Sequence, residues 1–180
     1  NKEDTDMVPV LTEVAAGSPG ALFFPIFQPA GDFVADQAPG VSGLEGIVLL
    51  GADGLQVQTF MELPQADGMY LSGPDLRYGV NTNQSTGATA EKFLADYESN
   101  NGNAPEAPFW AHSYDAATIL LEAIKAASHS HDGNLEIDRA GVREYLDNLS
   151  GYEGIIGTLS CDDFGDCGAQ RITVVQNSSA

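Results

Sequence analysis

Apolar residues along this chain fall into two rhythms. Short unbroken runs, ALFFPIF (21–27), GIVLLGA (46–52) and GMYLSGP (68–74), read as buried strands. Other segments repeat their apolar residues at helical spacing. DMVPVLTEVAAG (6–17) is one, with Asp6 near its start and Gly17 as a stop. QPAGDFVADQA (28–38) follows the first run as a helix with Pro29 near its first turn, and LQVQTFMEL (55–63) follows the second as a short helix. Continuous apolar strands alternating with helices predict a parallel sheet covered on both faces.

Beyond Pro74 the texture changes. DLRYGVNTNQSTG (75–87) is polar and irregular, a loop or linker. Helices are expected over 88–102, over 112–128 with Ile119, Leu120, Ala123 and Ile124 on one side, and over 138–150 with Asp138 as its cap. SHSHDGN reads as a loop, and the tail IIGTLSCDDFGDCGAQRITVVQ as two strands around a turn.

Charge then removes whole classes of function. Seven Lys and Arg stand against twenty-six Asp and Glu, a net charge of −19. Such a chain has no basic footprint with which to neutralise phosphates, so a nucleic-acid partner is excluded, and an anionic membrane surface is disfavoured. No apolar run approaches the ~20 residues that span a bilayer. Cys161 and Cys167 are the two cysteines, six positions apart around a turn. A disulfide there fits an extracytoplasmic setting, with free or metal-binding thiols as the alternative.

Enzymatic motifs are missing: there is no G-x-G-x-x-G, no Walker loop, no G-x-S-x-G and no H-E-x-x-H. His129 and His131 with Asp132 fall short of the three or four spaced ligands of a zinc site. Asp132, Asn134 and Glu136 depart from the calcium-loop pattern in glycine placement and in the terminal glutamate. Asp162, Asp163 and Asp166 crowd one loop, which Asx-turn geometry explains. His112 has no nucleophile marked as its partner.

Asp53 is different in kind. In open parallel sheets, ligands sit beyond the carboxyl ends of the strands. Asp53 lies just past GIVLL, and Phe27 ends ALFFPIF. A carboxylate beside an aromatic suits a small molecule with an ammonium group and an apolar part. A shielded charge-assisted hydrogen bond of that kind contributes roughly 1.5–3 kcal/mol. The alternative is that Asp53 caps the helix that follows.

The series ALFFPIFQPAGDFVADQA, IVLLGADGL, ADGMYLSGP, YDAATILLEAIKAA, GYEGIIGTLSCDDFGDC and RITVVQ resembles the carboxyl-terminal half of the type I periplasmic binding proteins, the leucine-binding-protein-like receptors of ABC importers. The resemblance implies an α/β fold with parts of two Rossmann-like lobes. Residues 1–73 would be the latter part of the second ligand-binding lobe, 74–166 the remainder of the first, and 167–180 a return strand and tail. It places the contact for a ligand's α-ammonium on Asp53, where the leucine-binding type carries glutamate, and an aromatic ligand contact on Phe27, where tyrosine is usual. Gly51 and Ala52 would keep the strand end open. Losing the tyrosine hydroxyl puts strict leucine, isoleucine or valine specificity in doubt.

Function by that resemblance is capture of an amino acid, amide or similar small solute for a membrane permease, in the periplasm or outside the cell, with no cofactor and no reaction catalysed. Cys161–Cys167 would be a structural disulfide. Family members are about twice as long, so a fragment is expected, with exposed sheet edges and pairing with a second chain. The rival reading is a ligand-sensing domain of a signalling receptor with the same fold.

Overall fold

The computed structural model describes residues 5–169 and 171–178. In chain order the elements are α1 (Val8–Ala15), β1 (Ala21–Phe24), α2 (Ala30–Gln37), β2 (Val48–Gly51), α3 (Gln58–Met61), β3 (Tyr70–Pro74), α4 (Ala90–Asn101) and α5 (Trp110–Ala126). There follow β4 (Ser128–His131), β5 (Asn134–Ile137), α6 (Arg139–Asp147), β6 (Tyr152–Gly154), β7 (Gly157–Cys161), β8 (Cys167–Gly168) and β9 (Ile172–Gln176). They form two compact units. One comprises Asn1–Asp75, Glu106–Pro108 and Ile172–Ala180; the other Leu76–Pro105 and Phe109–Arg171.

The first unit is built on a four-stranded sheet in the order β1-β2-β3-β9. Phe24 pairs with Gly51 and Gly51 with Leu71, so the first three strands run parallel; β9 closes one edge antiparallel, Leu71 opposite Val175. The apolar runs are longer than the strands they make. β1 stops at Phe24 because Pro25 has no N–H to continue the ladder. Leu22, Phe24, Leu49, Leu71 and Val175 point to one face, where Leu11 of α1, Val34 of α2 and Phe60 of α3 complete a single apolar core. The other face differs from expectation: Phe23, Val48 and Val174 are largely exposed, so this sheet is covered on one side only.

The second unit packs α5 against α6 and a three-stranded antiparallel sheet, β6-β7-β8. The buried stripe of α5 is Ala111, Asp115, Thr118, Ile119 and Ala123, not the wholly apolar one expected; Leu120 is exposed and Ile124 only half-buried. A polar knot occupies the core instead. Asp115 accepts from the backbone N–H of Ile155 and Ile156 at 3.0 and 2.9 Å and from Asn83 Nδ2 at 2.9 Å. Tyr152 Oη donates within the same cluster, 3.0 Å from Thr118 Oγ1. Gly154 makes room for it, since a Cβ there would lie 2.5 Å from an Asp115 carboxylate oxygen.

Two further sequence expectations change. SHSHDGN is not a loop: Asp132 and Gly133, both with positive φ, turn a two-residue hairpin between β4 and β5. Asp132, Asn134 and Glu136, which already depart from the calcium-loop pattern, lie in this hairpin leading into α6. The tail is not one hairpin either, since β7 and β8 pair with each other while β9 joins the first unit's sheet. Asp138 does cap α6, accepting from Ala140 N at 3.0 Å.

Cys161 and Cys167 are bonded, S–S 2.03 Å, across the β7–β8 ladder where they stand directly opposite each other. Their Cα atoms are 4.0 Å apart, closer than the usual range for a disulfide. The intervening acidic loop is an Asx turn: Asp162 Oδ1 accepts from the N–H of Phe164 and Asp166, both at 2.9 Å.

Candidate binding site at the strand ends

The parallel strands β1 and β2 end side by side, and the two turns that leave them carry the candidate residues. After β2 the chain makes one 3-10 turn, Asp53–Leu55, held by Leu55 N to Ala52 O at 3.0 Å and Gln56 N to Asp53 O at 3.0 Å. The turn points the Asp53 side chain to solvent. Among the described residues its carboxylate has no hydrogen-bond or ion-pair partner. It does not cap α3: the residue at that cap is Val57, with no side-chain bond.

After β1 the chain passes through Pro25 and a tight turn, Ile26 N to Phe24 O at 3.0 Å, before Phe27. The Phe27 ring lies on the second turn: a Cβ on Gly54 would sit 2.7 Å from ring carbons Cδ1 and Cε1. Glycine at 54 therefore seats the ring beside Asp53. The ring's remaining surface is open, with Phe27 71% exposed. Sequence reading paired Phe27 with Asp53 but missed Gly54, whose place in the Asp-Gly pair was its only signal.

Gly51 and Ala52 lie where the sequence places them, with different surroundings. Gly51 is buried, and the room left by its missing side chain is taken by Leu55 and Leu71 rather than by open space. Ala52 is half-buried and serves the turn through its carbonyl.

Two more residues join this end of the sheet. Gln28 ties the turns together, accepting from Thr59 Oγ1 at 2.6 Å and donating to Asp32 at 3.0 Å. Gln56 is buried with Oε1 unpartnered, and a Cβ on Gly73 would overlap that oxygen, so Gly73 is what lets the amide lie there.

The other candidates lie elsewhere. His129 Nε2 and His131 Nδ1 face the two oxygens of Glu136 at 3.1 and 3.3 Å across the β4–β5 hairpin. No group of three or more His, Cys, Asp or Glu among the described residues could hold a metal ion. His112 opens α5 with Nδ1 buried and unpartnered, its ring edge-on to Phe109, and burial pushes its pKa down. A cleft of about 510 Å³ in the second unit, between α5 and α6, contains none of the predicted ligand contacts. No described helix is long and apolar enough to cross a membrane.

The family model for periplasmic binding proteins matches residues 2–177. The chain belongs to the periplasmic binding protein family. Among solved structures of this family's kind, a leucine-binding protein from Thermotoga maritima superposes with a TM-score of 0.72 at 23% identity, covering 98% of this chain and 47% of its own. A branched-chain amino acid substrate-binding protein from Streptococcus pneumoniae, in complex with isoleucine, gives 0.61 at 21% identity over 97% and 49%. A solute-binding protein from Rhodopseudomonas palustris, in complex with benzoate, gives 0.66 at 17% over 98% and 45%. This periplasmic binding protein chain thus spans about half the length of the solved relatives it matches. No curated protein matches it.

Proposed function

We propose that this chain is part of an extracytoplasmic solute-binding receptor that captures small ammonium-bearing solutes, amino acids foremost, and delivers them to an ABC-type permease. On this reading residues 1–73 are the latter part of one ligand-binding lobe, 74–166 the remainder of the other, and 167–180 the return strand and tail. The chain catalyses no reaction.

One observation carries the choice of ligand: the unpartnered Asp53 carboxylate stands beside an open aromatic face, Phe27 on Gly54, at the carboxyl ends of two parallel strands. A cation is attracted to both the carboxylate and the ring face. An apolar carboxylate such as benzoate gains from the ring but is repelled by Asp53, and an amino acid needs further donors for its own carboxylate. The solved relatives include one bound to isoleucine and one bound to benzoate, so Asp53 is what favours the ammonium side for this chain.

The test is a thermal melt of the 180-residue chain against leucine, isoleucine, their amides and benzoate. A ligand at a hundred times its dissociation constant stabilises the native state by about 2.7 kcal/mol, a midpoint rise of several degrees. The expected pattern is a rise with the amino acids and amides, none with benzoate, and its loss in Asp53→Asn with the unliganded midpoint unchanged. A rise with benzoate alone, or one indifferent to Asp53→Asn, would sink the proposal.

A further inference from the structure

The cleft between α5 and α6 in the second unit has a chemistry opposite to that of the strand-end site. Its volume, about 510 Å³, is that of a small-molecule site. Leu120 and Ile124 of α5, Ile137 of β5 and Val142 and Leu146 of α6 give it apolar walls, and the disulfide loop borders it at Cys167. Its charged groups are Arg139, Arg143 and Asp147, all on α6.

The two arginines are out of keeping with the rest of the chain. Seven Lys and Arg stand among twenty-six Asp and Glu, so a surface cation has carboxylates in plenty, as Lys92 has Asp96 at 2.8 Å. Among the described residues neither Arg139 nor Arg143 has a side-chain hydrogen-bond or ion-pair partner. They stand one helical turn apart, the spacing at which like charges repel, and Arg139 opens α6, where the helix dipole disfavours a cation. The carboxylates just before them are engaged otherwise. Asp138 Oδ1 accepts from Ala140 N at 3.0 Å, and Glu136 faces His129 and His131. Asp147 pairs with neither arginine and lies eight residues along α6 from Arg139, about 12 Å.

An anion between the two guanidinium groups relieves their repulsion, and the apolar walls take whatever body it carries. Asp147 at the far end turns away a second negative charge. The length of the cleft favours an extended chain over a single ring, so benzoate is too short to span it. We propose that this cleft is a second binding site for a monoanionic amphiphile, a medium-chain fatty carboxylate. The head sits between Arg139 and Arg143, and the chain lies along Ile124, Val142 and Leu146. An anionic lipid surface offers similar head chemistry, but a body of charge −19 is repelled by it.

The experiment titrates the 180-residue chain by calorimetry with octanoate, octan-1-ol, benzoate and vesicles of anionic phospholipid, and amide NMR shifts locate the contact. The expected result is that octanoate alone binds, one-to-one, and shifts the amides of Ile124, Val142 and Leu146. Arg139→Gln and Arg143→Gln together should weaken octanoate at least about tenfold, since both charged partners of its head are gone. The unliganded melt of that variant should be unchanged or raised, because a like-charge pair has been removed. Lys92→Gln and Asp53→Asn should leave octanoate affinity as it is, so this site and the strand-end site fail or succeed separately. No binding of octanoate, equal binding of octan-1-ol, or an affinity indifferent to the arginine pair would overturn the proposal. So would shifts confined to the open sheet face around Phe23 and Val48, or binding to the vesicles in place of free octanoate.

Discussion

Asp53 and Asp115 are the same residue put to opposite uses. Asp115 is fully buried and its two oxygens receive three donors, two from the backbone of Ile155 and Ile156 and one from Asn83. Every bond it can usefully make inside the second unit is made, so nothing is left over for a ligand. Asp53 is exposed on a turn of the first unit and makes none of these bonds. A carboxylate saturated within its own fold is structural, and one held out unsatisfied at a strand end is available. The contrast predicts that the two residues separate cleanly: losing Asp115 harms folding, and losing Asp53 harms binding alone.

The largest effect belongs to Asp115→Ala. It strands two buried backbone N–H groups and the Asn83 amide, and opens a cavity beside Gly154. The loss should be on the order of 4 kcal/mol, summed from donors that lose a charged acceptor. Urea denaturation followed by fluorescence of Trp110, which stacks on Phe93 in the same unit, reads it directly. A loss under about 1 kcal/mol would mean the polar knot is not what organises this core.

Gly54→Ala sharpens the other side of the comparison. The backbone at 54 is not in the left-handed region, so alanine costs nothing there except space. The new methyl would meet the Phe27 ring at 2.7 Å and push it off its seat, away from Asp53. Stability should change by no more than about 0.5 kcal/mol, since the displaced ring is at the surface. Affinity for the ligand found in the melt should fall several-fold, measured by calorimetry. Unchanged affinity would show that Phe27 does not contact the ligand.

The sequence made one of these aspartates legible and hid the other. Asp53 was visible because a polar residue directly after a continuous apolar run breaks the pattern. Asp115 sits in YDAATILLEAIKAA, where an acid at helical spacing looks like a solvent-facing position; only the tertiary partners at 83, 155 and 156 reveal it. Strands and helices of the first unit were readable from apolar runs and Pro or Gly stops. The β4–β5 hairpin was not, because Ser128–His131 carries no apolar residue and only Asp132-Gly133 announces the turn. The bare sheet face was hidden for a different reason. An apolar run records that a face is meant to be covered, and says nothing of which segment covers it.

The smallest effect lies in His112, near Asp115 on α5. Burial disfavours its charged form and lowers its pKa from the ordinary value, an effect the Asp115 charge only partly offsets. A depressed folded pKa means that the unfolded chain takes up this proton first as the pH falls. The neutral ring's contribution is therefore fully present above the unfolded value of about 6.5 and is lost as pH falls towards the folded one. His112→Gln removes that slope. Stability of both proteins measured by urea titration between about pH 8 and pH 5 should converge on acidification, with the variant losing less than the parent. The difference between the two curves isolates this one group from the many carboxylates that titrate alongside it. Parallel curves would mean that the ring is protonated equally easily in both states, and that its unpartnered Nδ1 is reached by water.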